Sequence, residues 1–146
     1  MSEQTKMVFS LLVGILYLLA GVGEILVSVL PDIGIPEILQ IPGDLIGGLV
    51  LILVGLVLLF GARELSLGTH EGVAYMHVGI ALAGIFGMVA FLSLSAEFVT
   101  LAIFEGEPVS FGLFSAEITP QIYLALIALY GFIIWGKEFS SGLLRD

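Results

Sequence analysis

Glu24 is the acidic residue in this chain placed to do chemistry inside a membrane. It lies within a long apolar run, Met7–Leu30, about 9 Å from the end of that run at 1.5 Å per residue. An ionisable side chain at mid-membrane costs about 2.5–3.5 kcal/mol on insertion scales and usually faces the bundle interior. Glu24 could therefore hold a proton or a cation. It could equally hydrogen-bond a neighbouring helix, for instance at Ser93 or Ser95, which fall at similar depth. Tyr17 lies near mid-span and His77 near the other surface. A relay Glu24–Tyr17–His77 would need water in its gaps. Glu97 ends the third apolar run and could join Glu24, Asp44 and Glu117 in a carboxylate ring, or simply mark where water begins.

Other chemistry finds little support. His70, Glu71 and His77 lack the His-Glu-x-x-His spacing that brings two imidazoles to one metal on a helix. A haem would need facing histidines that other helices do not supply. With no cysteine, disulfides, thiolate catalysis and Cys-ligated metals are excluded. The chain carries no Gly-x-Ser-x-Gly, no phosphate loop and no Gly-x-Gly-x-x-Gly. No enzyme, cofactor or metal is expected, and four cations give no basis for nucleic-acid binding.

The elements that must position these residues follow from composition. Of 146 residues, 59% are hydrophobic and 12% charged, against roughly 45–50% and 25% in soluble domains. Mean hydropathy is +1.18. Lipid is the solvent that tolerates such a chain. A spanning helix needs about 20 apolar residues, and four runs qualify: 7–30, 44–62, 72–97 (or on to Phe104) and 120–136. The first is too long for a signal peptide's apolar core of about 7–15 residues, so an uncleaved helix is expected. The pattern predicts an all-α, up-down bundle of four transmembrane helices in a single domain.

Lys6, Arg63, Lys137 and Arg145 all fall at the same alternate ends of these runs. Cytoplasmic loops carry the Lys and Arg excess, so both termini are expected in the cytoplasm, with the protein multi-pass in the plasma membrane. Trp135 is then expected in the inner aromatic belt. The other side carries Asp32, Glu37, Asp44, Glu97, Glu105, Glu107 and Glu117 without a cation. A one-signed cleft there could concentrate counter-ions, although avoidance of translocated cations explains the same pattern. The outer loops 31–43 and 98–116 are also unusually apolar. They are expected to cap the bundle, lie on the bilayer, cover a ligand or meet a partner; the second could form a hairpin or extend the third helix.

Small residues recur at spacings of four and seven: Gly14 and Gly21, Gly48 and Gly55, then Gly79, Ala83 and Gly87, then Ala125, Ala128 and Gly131. Such spacings return to one helix face, where small residues let backbones approach closely in lipid. Val13-Gly14-Ile15 matches Val78-Gly79-Ile80, and Phe60-Gly61-Ala62-Arg63-Glu64 loosely matches Trp135-Gly136-Lys137-Glu138. A duplication of two-helix units would be parallel, about an axis along the membrane normal. The Gly-x6-Gly filler resembles single helices of small stress-associated membrane families such as the HdeD acid-resistance proteins; it implies no site. The expected role is an accessory or structural subunit of a membrane complex or homo-oligomer, touching lipid and protein partners. The alternative is a small proton or cation transporter using Glu24 and the outer carboxylates.

Overall fold

A computed structural model describes residues 3–30, 41–69, 71–105 and 118–143, with side chains left undescribed at 104–105 and 137–143. Loop residues 31–40 and 106–117, and His70, lie outside the described residues. Four α-helices follow one another: α1 (Glu3–Val29), α2 (Leu45–Ser66), α3 (Glu71–Thr100) and α4 (Pro120–Leu143). The first three are long and apolar enough to cross a membrane, and α4 is apolar over Pro120–Gly136. A π-helical turn, Leu101–Glu105, continues α3. Part of loop 98–116 is therefore a helical extension, as one of its two expected forms required.

Helix ends have local causes. Asp44 caps α2 from an extended conformation, its carboxylate accepting from the Ile46 N–H. Such a cap satisfies one of the amides a helix start leaves without an intrahelical partner. At the other end α2 runs past Arg63 and Glu64, because charge ends a span without ending a helix. It stops where Gly68 takes a φ of 71°. The Thr69 N–H then reaches Glu64 O and the Gly68 N–H reaches Leu65 O, closing the last carbonyls. Pro120 opens α4, where its missing N–H is no loss.

The helices pack in sequence order, α1 on α2, α2 on α3 and α3 on α4, with a thinner α1–α4 seam. The glycine spacings become reciprocal pairs. A Cβ on Gly14 would meet Gly55 O at 3.1 Å, and one on Gly21 would meet Gly48 O at 2.7 Å. Gly48 and Gly55 face back toward Gly21 O and Gly14 O. The two similar heptads are thus the two faces of one antiparallel contact. Gly79 admits Leu58, Gly87 admits Ala125, and Gly131 admits the ring of Phe9. Ala83 is buried in the core with Tyr17, Leu51, Val54, Met76 and Ile80.

These contacts bring the α1 and α4 segments near Phe9 and Gly131, and the α2–α3 turn, to one end. Trp135 lies at that end but is not a lipid-facing belt residue. It is buried, its ring 4.9 Å from Phe9 in an edge-on pair that closes the α1–α4 seam. A Cβ on Gly131 would meet the Phe9 ring at 2.6 Å, so the glycine leaves the room this pair needs.

Candidate functional site

Glu24 faces inward from α1 and is 0% exposed. Its Oε2 accepts the backbone N–H of Asp44 at 2.8 Å. Asp44 is the α2 N-cap, so the start of α2 is held by two carboxylates: Glu24 on the Asp44 amide and Asp44 on the Ile46 amide. Negative charge is favoured at a helix N-terminus, where amide dipoles add. The approach depends on Gly48, where a Cβ would come within 2.9 Å of Glu24 Cβ. The other oxygen, Oε1, has no hydrogen-bond partner in the structure. The Gln121 side chain, from the first turn of α4, lies beside the carboxylate. Three helices therefore converge on Glu24.

The serines considered from sequence do not take this role. Ser95 Oγ donates to Phe91 O on its own helix at 2.8 Å, and Ser93 lines a neighbouring cleft. That cleft has a volume of about 430 Å³ and opens between α2, α3 and α4. Asp44, Glu97, Ser93, Thr119 and Gln121 supply its polar lining. Thr119 Oγ1 and Gln121 Oε1 are buried atoms without a hydrogen-bond partner. Of the four carboxylates that could form an outer ring, Asp44 and Glu97 share this cleft, and Glu24 joins through the Asp44 backbone. Glu117 lies outside the described residues. Among the described residues, no three His, Asp or Glu side chains are grouped to hold a metal ion.

Tyr17 and His77 belong to other surroundings. Tyr17 is 1% exposed within the apolar core, and its hydroxyl has no hydrogen-bond partner in the structure. His77 is 4% exposed on α3, with Nδ1 2.7 Å from Val73 O one turn earlier. A carbonyl only accepts, so Nδ1 carries the hydrogen. No hydrogen bond links Tyr17 to Glu24 or to His77.

Two contributions to the Glu24 site left no side-chain pattern in the sequence to find them by, those of Gln121 and of the Asp44 backbone, and a third, Gly47, adjoins them. For Gln121 the available signal was only a polar amide one residue inside an apolar run. For Asp44, an amide contributed by a cap leaves no mark in side-chain pattern. A Cβ on Gly47 would collide with Gln121 Nε2.

Comparison with known proteins adds a family and no activity. The model of the MJ0565 integral membrane domain matches residues 1–137. An uncharacterised protein of Methanocaldococcus jannaschii, MJ0565, is 26% identical over 133 residues, covering 90% of this chain and 89% of the relative. No solved structure matches. By the extent of the family match, the chain belongs to the MJ0565 integral membrane domain family.

Proposed function

We propose that this chain is a non-catalytic structural subunit of a larger membrane complex or homo-oligomer, multi-pass in the plasma membrane with both termini cytoplasmic. The observation that supports this reading is the use made of Glu24. A translocating carboxylate needs a water-accessible path. Glu24 is instead fully buried, with one oxygen committed to the start of α2. The test is extraction in a mild detergent followed by native mass spectrometry of the intact particle. A fixed ratio to other polypeptides, or a defined homo-oligomer, is expected; a lone monomer in every detergent overturns the reading.

A second reading, a small proton or cation transporter, draws support from one feature. Glu24 Oε1 has no hydrogen-bond partner, and Asp44 and Glu97 share the cleft next to it. Glu24→Gln separates the two. A structural Glu24 leaves proteoliposome ion flux at the level of empty vesicles in both proteins. A transporting Glu24 gives flux in the parent that the variant abolishes.

A further inference from the structure

We propose that a second copy of this chain docks on the outward face of α4, in a two-fold pair centred on Tyr130. This rests on the subunit reading and deepens it by naming the partner. Tyr130 is 63% exposed. It lies about 15 Å from Pro120 at one end of the span and about 9 Å from Gly136 at the other, at 1.5 Å per residue. Hydrocarbon at that depth offers a phenol hydroxyl no hydrogen-bond partner, and leaving it without one is costly. Side chains lean toward the N-terminus of their helix. From Tyr130 that direction leads deeper into the span, away from the nearer end. Tyr75, one turn into α3 and 43% exposed, leans instead out of the span, toward headgroups and water. At mid-span the outward faces of α1 and α2 carry apolar side chains, Leu16 and Leu19, then Leu53 and Leu56. The need for a polar partner in the middle of the bilayer is therefore particular to α4.

Two further features favour protein over lipid on this face. The apolar stretch of α4, Pro120–Gly136, extends about 25 Å, short of the roughly 30 Å hydrocarbon core. Oligomerising is one way a short span is accommodated. Leu126, Tyr130 and Ile133 are 64%, 63% and 77% exposed. Their spacing of four and three puts them on one helix face, the pattern of a helix–helix seam. Beside the seam, a groove of about 680 Å³ runs between α3 and α4, lined by Ala81, Gly84, Met88, Leu129 and Phe132. Leu126 belongs to both seam and groove, so a helix laid on the seam also covers the groove. Symmetry names the occupant. All copies of one chain cross the bilayer in the same direction, so a pair is related by a two-fold axis along the membrane normal. Equivalent residues then meet at equal depth. A phenol both donates and accepts, so Tyr130 donates to its counterpart in the second copy. A wholly apolar helix would leave the hydroxyl as it was in lipid.

The chain contains no cysteine, so single thiols report contacts without background. Leu126→Cys, Ile133→Cys and a control on α1, Leu19→Cys, are oxidised with copper phenanthroline in the expressing membranes. All three replace exposed side chains, Leu19 being 65% exposed. Disulfide-linked homodimers are expected from the two α4 variants and not from the control. Energy transfer between donor- and acceptor-labelled copies of Leu67→Cys in liposomes, followed on lipid dilution, gives the dissociation constant. Tyr130→Phe should raise it about three- to tenfold, the size of one interhelical hydrogen bond in lipid. Parent-like association of Tyr130→Phe, or α4 crosslinking no greater than that of Leu19→Cys, overturns the proposal. So does a particle whose α4 thiols link only to other polypeptides, although the subunit reading survives that result. A lone monomer in every detergent, with no crosslink in the membrane, removes both.

Discussion

At the scale of single residues, the molecule separates two buried polar side chains that look alike in sequence. Glu24 is tied to a backbone amide, whereas the Tyr17 hydroxyl has no hydrogen-bond partner. Their substitutions should therefore behave differently. Glu24→Gln keeps an acceptor for the Asp44 N–H and should change stability by less than about 1 kcal/mol. Glu24→Leu leaves that amide without an acceptor and should cost about 1–3 kcal/mol, the usual penalty for an orphaned buried donor. Tyr17→Phe removes a hydroxyl that makes no hydrogen bond, so it should be neutral or slightly stabilising. Thermal unfolding in one detergent checks all three. A large loss on Tyr17→Phe would show that the hydroxyl has a partner, and would revive a proton path through the core.

At the scale of elements, the α1–α2 contact is set by glycines facing backbone. A Cβ on Gly21 would sit 2.7 Å from Gly48 O, and neither atom belongs to a flexible side chain. Gly21→Ala should force the helices apart and cost about 1–3 kcal/mol, the range for overpacking a tight contact. Gly84→Ala is the control. Its nearest neighbour is a terminal methyl of Leu129 at 3.3 Å, which can rotate away, so little change is expected. Unfolding by detergent titration compares them; equal effects would remove the special status of the α1–α2 seam. The glycines themselves were legible in the sequence, because spacings of four and seven are periodic along one helix. Their pairing was not. That Gly14 meets Gly55 and Gly21 meets Gly48 depends on antiparallel register, a relation between helices that single-helix periodicity does not carry. The packing roles of Gly61 and Gly72 were not legible for the same reason: each faces backbone across the α2–α3 hairpin, at Met76 N and Leu65 N. The convergence on Glu24 shows the limit most clearly, since the carboxylate, the Asp44 amide and Gln121 come from three helices far apart in the chain.

At the scale of the whole molecule, the bundle has two chemically different ends. The α1 segment with Lys6 and the last turn of α2 with Arg63 lie at the end where Phe9 meets Trp135. The Asp44–Glu97 cleft lies at the opposite end, beside Glu24. Retention of cations on the cytoplasmic side would put the acidic cleft outside. The chain contains no cysteine, so a single introduced thiol reports sidedness without background. Pro42 lines the cleft, and Leu67, 63% exposed, sits in the α2–α3 turn. In intact cells, Pro42→Cys should react with an impermeant maleimide, while Leu67→Cys should react only after permeabilisation. The reverse pattern would turn the cleft toward the cytoplasm. The orientation of four cations thus decides which compartment the acidic cleft samples.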